Sequence, residues 1–133
     1  MIILKKKGDS IELSKKFTNV DIKLSWTKSV DLDLHAFYKL KNGTFGHVSY
    51  INKGSLNQAP CILLDKDAGV GNTPGNNQEN IKIATLSHVD YVLIATNIFR
   101  FLGFLSAGDS FAKYDGKVTV KTDAGDHIEV PLI

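Results

Sequence analysis

The sequence predicts an all-β protein, a β-sandwich of two antiparallel sheets, and three observations carry that expectation. Apolar and polar residues alternate with a period of two along most of the chain. Turn signals such as Asn42-Gly43 separate the alternating stretches, and no long stretch repeats with the 3.6-residue period of an amphipathic helix.

The first clear strand is Val20-Asp21-Ile22-Lys23-Leu24-Ser25-Trp26. Successive side chains of a strand point to opposite faces, so Val20, Ile22, Leu24 and Trp26 share a buried side while Asp21, Lys23 and Ser25 face water. Residues 118–121 and 127–132 alternate in the same way, and Asp123-Ala124-Gly125-Asp126 supplies turn residues for a hairpin between them. Asn42-Gly43 predicts a second hairpin, joining residues 34–38 to 47–51, and Asp115-Gly116 is a candidate for a third. Residues 89–96 are apolar on nearly both faces and rich in β-branched side chains, which predicts a central strand covered on both sides. Residues 97–110, with Phe99, Phe101, Leu102, Phe104 and Leu105, fit a helical turn or a bent strand equally well. Together with Phe111, these phenylalanines are expected to add to the core, with a docking surface as the alternative for any exposed part.

The stretch 65–80 departs from this pattern. It reads Asp-Lys-Asp-Ala-Gly-Val-Gly-Asn-Thr-Pro-Gly-Asn-Asn-Gln-Glu-Asn and offers almost nothing to a core, so it is expected to be one long loop. Loops of this length within a compact domain are commonly functional.

Length and composition narrow the function classes. The 133 residues suit a single domain spanning 1–133, large enough to close a core without disulfides. A net charge of only +2 gives too weak a field to draw nucleic acid or a membrane surface, so neither is an expected partner. Lys5, Lys6, Lys7, Lys15 and Lys16 are expected on solvent-exposed edges. Cys61 has no second cysteine to pair with, and the opening Met-Ile-Ile-Leu-Lys-Lys-Lys places its charges after the apolar residues, the reverse of a secretory signal. No apolar run is long enough to span a bilayer. The expected location is the cytoplasm.

The acidic residues carry the chemistry. Asp31 and Asp33 flank Leu32, so in a strand both carboxylates share one face while Val30, Leu32 and Leu34 take the other. Asp65 and Asp67 repeat that spacing at the head of the polar loop. Gly69, Gly71 and Gly75 let its backbone wrap inward, and Asn76, Asn77, Gln78 and Glu79 add oxygens at its close. Either pair alone is common turn chemistry, because Asp hydrogen-bonds nearby backbone. Both pairs with the loop match the need of a hard cation such as calcium for six to eight oxygens in irregular geometry. An EF-hand is excluded, since counting from Asp65 puts Asn76 where the bidentate glutamate belongs.

Other motifs point nowhere specific. The loop glycines are followed by no Gly-Lys-Ser/Thr phosphate signature, and no nucleophile elbow occurs. His35, His47, His88 and His127 lack metal-ligand spacing, so they read as ordinary histidines, and Cys61 reads as a buried, inert thiol. An enzyme is not expected.

Several of these segments together resemble the TerD family of tellurite-resistance and stress-response proteins. The resemblance lies in Asp31-Leu32-Asp33-Leu34-His35-Ala36-Phe37, Lys41-Asn42-Gly43, Tyr50-Ile51-Asn52, and the glycine-rich loop running into Glu79-Asn80-Ile81-Lys82-Ile83. Gly8-Asp9-Ser10-Ile11-Glu12-Leu13-Ser14-Lys15 is similar to the family's first hairpin. The resemblance implies a β-sandwich that holds calcium in loops at one end, a role in stress responses alongside other stress-response proteins, and no catalytic activity. It implies as ligands Asp31, Asp33, Asn52, Asp65, Asp67, Asn77 and Glu79. Family loops carry several acidic residues before the last glutamate, whereas residues 72–78 carry none, which implies weaker binding or one site fewer.

Overall fold

The computed structural model describes residues 1–13, 18–28, 30–66, 76–99 and 114–132. These residues form ten strands and no helix: β1 (Ile2–Ile3), β2 (Val20–Trp26), β3 (Asp31–Leu40), β4 (Phe45–Val48), β5 (Gly54–Ser55), β6 (Ile62–Lys66), β7 (Asn77–Ile83), β8 (Val89–Phe99), β9 (Lys117–Thr122) and β10 (His127–Pro131). They make a β-sandwich. One sheet has the order β1-β10-β9-β2-β7-β6-β5 and the other the order β4-β3-β8. All pairings are antiparallel but one, since β1 runs parallel to β10 with Ile2 opposite Ile128.

The period-two reading of residues 20–26 is realised in β2, whose burial alternates strictly from Val20 to Trp26. Leu24, Ile22, Ile62, Leu64, Ile81 and Ile83 of the larger sheet pack against Leu32, Leu34 and Ala36 of β3 and Val48 of β4. Removing a side chain as enclosed as Leu24 costs about 2–5 kcal/mol. Asp115 and Asp123 fasten the two ends of β2 to those of β9. Asp123 accepts the amide and hydroxyl of Thr18 at 2.8 and 2.6 Å, before β2. Asp115 accepts the amide of Thr27 at 2.8 Å, and also its hydroxyl, after β2.

The two hairpins signalled by Asn42-Gly43 and by residues 123–126 are present as β3-β4 and β9-β10. The hairpin expected at Asp115-Gly116 would begin among residues 100–113, which lie outside the described residues. Four expectations need correction. The strand expected over 47–51 stops at Val48, and residues 49–52 bend instead, with the Ser49 amide bonded to the Asn52 carbonyl at 3.0 Å. Among the described residues the segment 89–96 lies at a sheet edge: β3 is the central strand of its sheet, and Tyr91 and Leu93 stand 49% and 59% exposed on the outer face. Its apolar character on both faces therefore reflects one buried and one uncovered side.

The loop expected over 65–80 is shorter, because Asp65 lies in β6 and Asn77 through Asn80 lie in β7, where Glu79 and Asn80 are buried. Polar side chains enter strands here because the outer face of β7 meets partners: Asn80 Nδ2 donates to Asp21 Oδ1 at 2.7 Å. Gly8 to Leu13 form no strand, so the described part of the expected first hairpin is a turn followed by residues without regular structure. Its remainder, with Lys15 and Lys16, lies outside the described residues, as do Asp67, Gly69, Gly71, Gly75, Phe101, Leu102, Phe104, Leu105 and Phe111. Cys61 is buried, and no helix among the described residues is long and apolar enough to cross a membrane.

Candidate metal centre

Register fixes which chain ends meet. Trp26 pairs with Asn77 and Asp31 pairs with Phe99, so the end of β2, the start of β3, the start of β7 and the end of β8 lie at one end of the sandwich. The indole N–H of Trp26 donates to the Val30 carbonyl at 2.7 Å in the interior, which fixes where β3 begins. Val30, Leu32 and Leu34 then face the core, and Asp31 and Asp33 take the other face, as their spacing predicts.

Glu79 reaches this region from the opposite sheet. It sits two residues before Ile81 on β7 and is fully enclosed, and its Oε1 accepts the backbone N–H of Leu34 at 3.0 Å. That amide is available because β4 stops at Val48, opposite Ala36. One ligand atom from each of Asp31, Asp33 and Glu79 falls within 4.8 Å of the others. Asp33 is 4% exposed and Asp31 half-buried. At an effective dielectric of about 20, two unit negative charges about 5 Å apart repel by roughly 3 kcal/mol. Three carboxylates held this close favour the uptake of a cation or a proton. The set contains oxygen only, the donor type that suits calcium, magnesium or manganese rather than zinc or copper.

The other sequence candidates are placed as follows. Asn77 is half-buried at the start of β7, two residues before Glu79, with its amide 3.5 Å from the Lys28 carbonyl. Asn52 lies in the exposed bend after β4. Asp65 is exposed on the outer face of the larger sheet, 3.5 Å from the Lys82 ammonium. Asp67 lies outside the described residues.

Beside the acidic group, the structure assembles side chains that sequence spacing did not connect. His35 Nδ1 and His47 Nε2 are 2.8 Å apart on the outer face of the smaller sheet, and His35 Nε2 meets Asn97 Oδ1. Phe37 stacks on His47 with ring centroids 4.1 Å apart and planes at 7°. Partial burial, and then the neighbouring His35, hold the His47 pKa below its ordinary value. The signal for this pair was the Asn42-Gly43 turn, whose hairpin sets His47 opposite Phe37 and so diagonal to His35.

Comparison of the chain with protein-family models, with curated proteins and with solved structures finds no match.

Proposed function

We propose that this protein is a calcium-binding module, a scaffold rather than an enzyme, and that Asp31, Asp33 and Glu79 form the heart of its site. The observation that carries this reading is the convergence of three carboxylates from two sheets within 4.8 Å. Glu79 is oriented by the Leu34 amide, as a ligand carboxylate commonly is by a hydrogen-bonding neighbour. Three carboxylates supply up to six oxygens, and backbone carbonyls, water or the Asn77 amide can complete a calcium shell. The resemblance to TerD proteins supports a place in a stress response of the tellurite-resistance type, and the single buried thiol suits a reducing cytoplasm.

A second reading, a metal-free interaction module that keeps the sandwich without the ion, is favoured by Phe37, Phe45, Tyr91 and Leu93, which are all exposed on the smaller sheet. Calorimetric titration of chelator-treated protein separates the two. Under the calcium reading, calcium binds measurably, magnesium binds more weakly because it gives up its waters reluctantly, and the melting temperature rises. At a hundred times the dissociation constant the native state gains about 2.7 kcal/mol. No binding heat and an unchanged melting temperature in millimolar calcium would overturn the calcium reading.

A further inference from the structure

The geometry points to a second cation site, for a divalent transition metal of the imidazole-preferring kind, copper, nickel or zinc, held by His35 Nδ1 and His47 Nε2 on the outer face of the smaller sheet. It is separate from the carboxylate group in both donor type and residues, and it does not depend on calcium binding.

Three observations lead to it. The two ring nitrogens are 2.8 Å apart. Two imidazole nitrogens bound side by side to one ion stand about 2.9 Å apart. An ion takes its place beside the line between them once each ring swings from the present head-on hydrogen bond, with ring centroids 5.0 Å apart, to aim its lone pair off that line. The tautomer of His35 is also set. Asn97 turns its carbonyl oxygen to Nε2, so that nitrogen carries the proton and Nδ1 keeps its lone pair. A hydrogen bond from the far ring nitrogen to an oxygen acceptor is the usual support of a metal-binding histidine. Finally, the Phe37 ring stacked on His47, with planes at 7°, keeps that imidazole beside His35.

Without metal, His47 Nε2–H donates to His35 Nδ1. On metal binding that proton leaves to water and Nδ1 of His47 takes one up, so the ring changes tautomer with no net proton released. His47 is exposed, which lets solvent exchange both protons. Water would fill the remaining coordination positions on the exposed His47 side. Imidazole suits copper, nickel and zinc, and divalent copper should bind most tightly of the three.

The test uses chelator-treated protein in excess calcium, and the histidine variants distinguish this site from the carboxylate group. Titration with Cu2+, Ni2+ and Zn2+ should give one site, and the paramagnetic resonance spectrum of the copper form should carry the hyperfine pattern of two nitrogen ligands. His35→Ala and His47→Ala should each lower affinity at least tenfold, whereas His88→Ala and His127→Ala should leave it unchanged. Asn97→Leu, which removes a positioning residue, should weaken binding by a smaller factor. Equal affinity in wild type and His47→Ala, or a copper spectrum with fewer than two nitrogens, would overturn the proposal. The spectrum is read on the wild-type chain, so a variant that fails to fold does not blur the outcome.

Discussion

Glu79 and Leu34 lie on different sheets, yet the Glu79 carboxylate accepts the Leu34 backbone amide at 3.0 Å. A side chain from β7 thus occupies the position where the next residues of β4 would have paired with β3. The same carboxylate is one of the three acidic groups, so one residue joins the sheets and builds the site. These two roles can be separated, because one depends on an acceptor oxygen and the other on charge.

Glu79→Gln keeps an acceptor for Leu34 while removing the charge. The metal-free variant should be as stable as wild type or more so, with weaker calcium binding. Glu79→Leu also strips the acceptor and leaves a buried amide unsatisfied, a further loss of about 1–3 kcal/mol relative to the Gln variant. Urea denaturation of both variants in chelator checks the order. Equal stabilities would mean that the Leu34 bond contributes nothing net.

Asp33→Asn removes one of the closely spaced negative charges at almost constant volume. Calcium affinity should fall by roughly tenfold or more, a change of about 1.4 kcal/mol. Metal-free stability should stay level or rise as repulsion is relieved. Calorimetry gives the first quantity and thermal melting the second. Lower metal-free stability with unaltered affinity would mark Asp33 as a structural residue only.

The clamps at the two ends of β2 give the fold a defined acid response. The Asp115 pKa is lowered, chiefly by the Thr27 hydroxyl and then by the Thr27 amide, and the Asp123 pKa is lowered by the corresponding groups of Thr18. Folded values below the ordinary carboxylate value mean that the stabilisation is fully present at higher pH. It is lost as pH falls from the ordinary value through the lowered one, because the unfolded chain takes up protons first. Thr27→Val should therefore destabilise the protein at neutral pH, and its deficit against wild type should shrink in acid. Denaturation curves across that range test this, and a deficit independent of pH would show that the Asp115 charge is not involved.

Much of the fold could be read because the apolar side chains of β2 and β3 recur at every second position, and in β2 burial follows that alternation strictly. The paired aspartates were legible for the same reason, since the spacing of Asp31 and Asp33 around Leu32 fixes their common face. Glu79 read as a loop oxygen, and its place in a buried strand follows from a long-range register, with Leu24 opposite Glu79, that no local pattern encodes. The edge position of β8 was illegible because an apolar face left open to solvent has the same composition as a covered one. The histidine pair was encoded in the Asn42-Gly43 hairpin, yet it becomes visible only when residues are compared across the turn rather than along the chain.

The strand order has a consequence for how the chain reaches this structure. In the larger sheet β2, from the first fifth of the sequence, lies between β7 and β9, and β1 adds to β10. Half of its six strand pairings, β1 with β10 and β2 with both β7 and β9, therefore close long loops, whose entropy of closure must be met before the contacts offset it. Assembly of β2 waits for segments made much later in synthesis, whereas the β3-β4 hairpin can form locally. Sheets with such distant pairings fold on a scale of roughly milliseconds to seconds. Asp31 and Asp33 on β3 are synthesised well before Glu79 on β7, and β8, the strand that pairs with β3 beside them, comes only after it, so the acidic group is completed late.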